Sequence, residues 1–108
     1  MEQIEIKEKR GANYVLLEVA GVLNSYTYLD FQTKVFAIAK ETNLVIDMAE
    51  ITNLSSSGLG VLLAAYDDAD EAGNKIYIMR PSVIAKKAIE STGFAEYFPI
   101  IFSLTEVL

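Results

Sequence analysis

The run Leu44-Val45-Ile46-Asp47-Met48 constrains this chain more than any other feature. It is apolar at every position but one, it is too short for a helix, and helical patterns lie on both sides of it. A run of that kind reads as a buried central strand of a parallel sheet. The neighbouring segments agree. Residues 4–8 alternate apolar and charged side chains as a half-exposed strand does, 9–13 form a polar turn, and 14–20 give a second, more buried strand. Residues 21–25 lead out of it. Thr27 with Asp30 three positions later fits a helix cap, and Tyr28, Phe31, Val35 and Ile38 then recur at helical spacing.

After the central strand, a loop over 49–54 leads to Ser55-Ser56-Ser57-Gly58 and a second helix over about 57–71, ended by Gly73. Ile76-Tyr77-Ile78-Met79 is the next strand. Pro81-Ser82 opens a third helix with apolar positions at Val83, Ala85, Ala88 and Ile89, closed by Gly93. A short strand is expected within 94–102 and a stub of helix over 103–108. Strand-strand-helix-strand-helix-strand-helix is an α/β order. It implies one domain over 1–108, with a mixed four- to five-stranded sheet and helices packed against it.

Composition removes several function classes. The 108 residues include no cysteine and no histidine, which excludes disulfides, the usual zinc sites and imidazole-activated nucleophiles. No cofactor is expected. The longest apolar runs fall far short of the roughly 18 residues of a membrane span, and the acidic start Met-Glu-Gln-Ile-Glu-Ile does not look like an export signal. A cytoplasmic protein that does not engage a membrane is the expectation. A net charge of −6 repels phosphate backbones, so direct nucleic-acid binding is not expected, and a partner with a basic surface is the better match.

The segment from Asp47 to Gly60 carries the chemistry: a buried strand, a bend, and a helix start with three hydroxyls and two glycines. Free amides and the macrodipole at a helix N-terminus favour negative charge. A phosphoryl group on a serine there adds about −1.5 to −2 of charge, which the fold tolerates and a docked partner feels. Serine at this place also serves commonly as a plain cap, and glycine as a close-packing residue. Enzymatic motifs are missing. Gly58-Leu59-Gly60 lacks the third glycine of a dinucleotide fingerprint, no phosphate loop ending in Gly-Lys-Ser/Thr occurs, and Ser56 has Leu54 where a nucleophile elbow needs glycine.

Asp47 through Gly60, with Val61-Leu62-Leu63 and Ala72-Gly73 behind it, closely resembles the core motif of the STAS domain. Gly21-Val22-Leu23-Asn24 stands where that family has Gly-Glu-Leu-Asp. Ser91-Thr92-Gly93-Phe94 and Tyr97-Phe98-Pro99-Ile100 look like its closing helix and tail. The resemblance covers essentially the whole chain. It implies an anti-sigma factor antagonist that binds an anti-sigma factor/serine kinase when unphosphorylated, is released by serine phosphorylation, and is restored by a serine phosphatase. By position the phospho-acceptor is Ser56, with Ser55 and Ser57 as alternatives. Asn24, Ser25, Tyr26, Asn53, Leu54, Ser55, Ser57, Gly58 and Leu59 belong to the implied docking surface.

Two positions depart from the family pattern: Ser55 replaces the Asp before the acceptor, and Asn24 replaces the Asp of Gly-Glu-Leu-Asp. Both remove negative charge near Ser56, so a phosphate there is less repelled, while groups a kinase could recognise are lost. The alternative reading is a STAS docking subunit of a stress-sensing scaffold or transport complex with no sigma-factor role. The acidic residues Asp67, Asp68, Asp70 and Glu71 read as a solvated helix face or, more sharply, as a band that meets a basic partner.

Overall fold

A computed structural model describes residues 3–107. Met1 and Glu2 of the acidic start, and Leu108 at the end of the expected helical stub, lie outside the described residues. Five strands, β1 (Ile4–Arg10), β2 (Tyr14–Leu23), β3 (Asn43–Leu54), β4 (Ile76–Met79) and β5 (Ile100–Ile101), alternate after β2 with helices α1 (Tyr28–Glu41), α2 (Ser56–Glu71) and α3 (Val83–Ser91). The strands lie in chain order in one sheet. β1 pairs antiparallel with β2 and every later pairing is parallel. Three successive crossovers step in one direction, and residues of all three helices share one core cluster, so the helices lie on the same face, as crossovers of one hand require.

That arrangement explains the central run. Leu44, Ile46 and Met48 point into the main core under the helices, with Phe31 and Val35 of α1, Leu62 and Ala65 of α2, and Ile89 of α3. Val45 points the other way, into a smaller cluster with Leu16, Tyr77, Met79, Ile101 and Val107. A short 3₁₀ turn, Leu104–Glu106, closes over that second face, held by a capping box in which Ser103 and Glu106 satisfy each other's backbone amides. Both faces of β3 from Leu44 to Met48 are therefore dry although only one carries helices.

Three boundaries differ from the sequence reading. Lys9 and Arg10 continue β1 instead of turning, because they pair with Leu16 and Val15 of β2. Their charges remain at the surface, with Lys9 Nζ 2.9 Å from Glu18. β2 likewise continues through Gly21 to Leu23: the Val22 amide donates to the Gln3 carbonyl at 3.0 Å. Gly21 has φ of 105°, and a Cβ there would stand 2.4 Å from the Gln3 carbonyl oxygen. Only glycine allows both.

The third difference matters most. Residues 49–54 are not a loop: β3 runs on to Leu54 and remains paired with β2 as far as Leu23↔Leu54. Two register shifts, between Glu18 and Ala20 and between Gly21 and Val22, break the two-residue period that would have made this stretch legible as strand. The expected Thr27 cap is also not made. Thr27 Oγ1 instead donates to the Val22 carbonyl at 2.7 Å and accepts the Asn24 amide at 3.0 Å, closing the turn between β2 and α1.

Candidate functional site

Because β2 and β3 are parallel, their C-terminal ends finish side by side, and the turns that follow them are neighbours. Ligand sites of parallel sheets form at that end for this reason. The Ser55 amide donates to the Leu23 carbonyl at 2.9 Å, which ties the serine bend to the residue before Asn24. The two separate segments singled out in the sequence, 24–26 and 53–59, therefore meet in space.

The turn after β2 is organised by Asn24, which is only 9% exposed. Its Oδ1 accepts the Tyr26 amide at 2.9 Å, and its carbonyl accepts the amides of Thr27 and Tyr28 at 3.2 and 2.9 Å. An aspartate could accept the Tyr26 amide in the same way, so the amide for carboxylate exchange keeps the turn and removes the charge. Asn24 thus sets the turn geometry, and Ser25 and Tyr26 are what it presents. Tyr26 is 86% exposed, so it does not pack inside the loop. Tyr28 does pack against the core. Leu29, 63% exposed in the first turn of α1, adds an apolar side chain that sequence reading passed over as an ordinary helix position.

The three serines are not equivalent. Ser55 is the N-cap of α2, yet its side chain makes no capping bond. Its Oγ is buried and has no hydrogen-bond partner. Ser56, the first helical residue, is exposed, and Ser57 is half-buried. The first turn of α2 contains no acidic residue, so the positive end of the helix is not neutralised by the helix itself. An anion at Ser56 would be favoured there by about 0.3–1 kcal/mol.

Leu54 and Gly58 are buried. They shape the site from beneath, and Asn53, Ser56 and the half-buried Leu59 make its outer surface. A Cβ on Gly58 would stand 2.7 Å from Leu23 Cγ and 2.8 Å from Leu54 Cδ1. Glycine here lets α2 come down onto the ends of β2 and β3. Gly60 has nothing within 4 Å of such a Cβ.

Two supports escaped the sequence reading. Ser82 anchors the overhanging part of β3: its amide donates to the Met48 carbonyl at 3.0 Å, its Oγ donates to the Ile51 carbonyl at 2.7 Å, and the same Oγ accepts the Ala85 amide at 3.1 Å as the cap of α3. The Pro81-Ser82 signal gave the cap but not the reach across to β3. Asp47, 5% exposed, accepts the Ala49 amide at 3.0 Å and is paired with the Arg80 guanidinium. That hydrogen bond, together with the carboxylate's charge, raises the Arg80 pKa above its ordinary value. Arg80 has φ of 48°, a left-handed backbone that the sequence does not announce.

The family model for the STAS domain matches residues 3–107. The chain belongs to the STAS family. A related protein, the anti-sigma-B factor antagonist of Listeria monocytogenes, is 27% identical over 99 residues, covering 90% of this chain and 86% of that one. The Listeria innocua protein of the same name matches equally. Among solved structures, the anti-sigma factor antagonist SpoIIAA in its unphosphorylated form superposes with a TM-score of 0.78 at 13% identity, over 94% of this chain and 91% of that chain. An anti-sigma factor antagonist from Mycobacterium paratuberculosis gives 0.79 at 24% identity, over 95% and 89%. These likenesses fix the STAS fold: a mixed five-stranded sheet with three helices.

Proposed function

We propose that this chain is an anti-sigma factor antagonist that works by partner switching. With Ser56 unmodified, the surface formed by Ser25, Tyr26, Asn53, Ser56, Ser57 and Leu59, over a base of Asn24, Leu54, Ser55 and Gly58, docks onto an anti-sigma factor that is also a serine kinase. The kinase transfers the γ-phosphoryl group of ATP to Ser56 Oγ, the hydroxyl proton leaves, and ADP departs. The resulting dianion stands where the partner was in contact, so binding ends. A serine phosphatase hydrolyses the phosphoester and resets the surface. Docking, not catalysis, is this chain's contribution, and the cytoplasm is where it acts.

The single observation that carries this reading is the contrast between neighbouring hydroxyls. Ser56 is exposed at the positive end of α2, while the oxygen of Ser55 is closed off. A kinase can reach the first and not the second. Two proteins it resembles in sequence are named anti-sigma-B factor antagonists, which supports the partner class. Among the described residues no helix is long and apolar enough to cross a membrane.

The test is phosphate transfer and docking with the cognate kinase. Intact-mass measurement after incubation with kinase and ATP should show one added phosphate, absent in Ser56→Ala, which still docks. Ser56→Asp should lose docking by about tenfold or more. Phosphate mapped to Ser55 or Ser57, or full docking by Ser56→Asp, would refute the assignment. Docking only onto a multi-protein sensor or a transport subunit would favour the scaffold reading.

A further inference from the structure

β1 forms one edge of the sheet, with β2 on one side only. Its hydrogen-bonding direction can be read from its two ends. The Gln3 carbonyl accepts from Val22, and the Gly11 amide donates to Tyr14, so the odd-numbered residues turn their backbone groups toward β2. The register between them is continuous. The even-numbered residues Ile4, Ile6, Glu8 and Arg10 therefore turn theirs outward, with no strand beyond them. Edge strands commonly discourage pairing with a proline, a bulge or charged side chains. β1 has no proline and an unbroken register with β2. Its charges are of mixed sign, so whether they repel or attract a second strand depends on the register.

We propose that β1 pairs antiparallel with β1 of a second copy of this chain, about a two-fold axis through Ile6. The charge pattern selects that register. With Ile6 opposite Ile6 of the other copy, each Glu5 faces a Lys7, and Ile4 faces Glu8. One step further along puts Lys7 opposite Lys7, and one step back puts Glu5 opposite Glu5. Each of these brings like charges together at the axis. The parity also fits: Ile6 with Ile6 and Ile4 with Glu8 are outward-facing residues and form hydrogen-bonded pairs. Glu5 with Lys7 then falls at the non-hydrogen-bonded positions, where side chains approach more closely. Neither Glu5 nor Lys7 has an ion pair within the chain among the described residues.

A second observation lies on the helix side of the same edge. Ile4 and Ile6 are half-buried, and between them and Asp30, Thr33 and Lys34 of α1 is an open cavity of about 370 Å³. Ile6 of the second copy arrives on that side of the sheet, beside Ile6, and continues the half-finished apolar surface. Antiparallel pairing sends the two switch surfaces to opposite ends of a continuous ten-stranded sheet, so both remain free to dock.

Charge reversal provides the test, since Glu5 and Lys7 are exposed and their exchange leaves the fold intact. Sedimentation equilibrium of the wild type should show a concentration-dependent dimer. E5K alone and K7E alone should each weaken it about tenfold or more, because two attractive pairs become repulsive. The double variant E5K/K7E should recover dimerisation. Mixing the two single variants should yield a heterodimer tighter than either homodimer. Amide exchange at Ile4, Ile6 and Glu8 should slow as concentration rises. A wild type that stays monomeric at millimolar concentration, single variants that dimerise as the wild type does, or a mixture that does not associate would overturn the proposal. Protection of those amides only after an anti-sigma kinase is added would do the same and would assign the edge to that partner.

Discussion

Gly58→Ala separates close packing from helix propensity, and the structure supplies its own control. Adding a methyl group at Gly58 brings it to 2.7 and 2.9 Å from Leu23 and 2.8 Å from Leu54. Leu23 is wholly buried and Leu54 is 5% exposed, so neither side chain has room to retreat. Overpacking of this kind costs about 1–3 kcal/mol. Alanine for glycine in a helix returns up to about 1 kcal/mol through propensity and the unfolded chain's entropy. The net expectation for Gly58→Ala is a loss of up to about 2 kcal/mol. Gly60→Ala, two residues along the same helix and facing open space, should gain up to about 1 kcal/mol. The gap between the two variants is then the clash alone, about 1–3 kcal/mol, or about 4–8 °C in Tm for each kcal/mol. Urea unfolding read as a shift in midpoint at constant slope measures it. Equal midpoints for the two alanine variants would refute the claim that α2 is seated on Leu23 and Leu54 through Gly58.

Two further outcomes follow from the same geometry. Ser82→Ala removes the cap of α3 and the donor to Ile51, and should lower unfolding free energy by about 1–2 kcal/mol, whereas Ser91→Ala, at an exposed hydroxyl late in α3, should change it by under about 0.5 kcal/mol; matching midpoints for the two would count against Ser82 as an anchor. Tyr26→Ala should leave stability within about 0.5 kcal/mol, since the ring is exposed, and should weaken docking to the anti-sigma kinase about tenfold in surface-plasmon measurements; unchanged affinity would remove Tyr26 from the interface.

What could be read from the sequence divides along physical lines. The core strand Leu44–Met48 was legible because burial on two faces leaves a continuous apolar signature. The helices α1, α2 and α3 were legible from their apolar spacing and from Gly73, Pro81 and Gly93. The second half of β3, residues 49–54, was not, since Glu50, Thr52 and Asn53 are exposed and the two register shifts erase the alternation that marks a strand. Within the candidate site, the meeting of residues 24–26 with 53–59 came from resemblance, and its cause, parallel strands ending together, emerged only with the topology. The closing off of the Ser55 oxygen depends on how α2 seats over Leu23 and Leu54, which local sequence does not encode. The Asp47–Arg80 pair joins residues 33 apart in sequence, across a left-handed residue, and no spacing rule anticipates it.

β3 has twelve residues and β4 only four, and their pairing stops at Asp47↔Met79. Past that point β3 has no strand on its β4 side, where Ser82 alone pins it among the hydrogen bonds described, while β2 keeps β1 as far as Ile4↔Gly21. A narrow ribbon twists more readily than a wide sheet. The segment that carries the candidate site can thus flex while the wide part of the sheet stays rigid, and hydrogen exchange at Ile51 and Leu54 should outpace that at Val45 and Ile46 by orders of magnitude. Changes at its exposed positions, Glu50, Thr52, Asn53 and Ser56, would then be absorbed locally at little cost to folding, unlike changes at the buried Leu54 and Gly58.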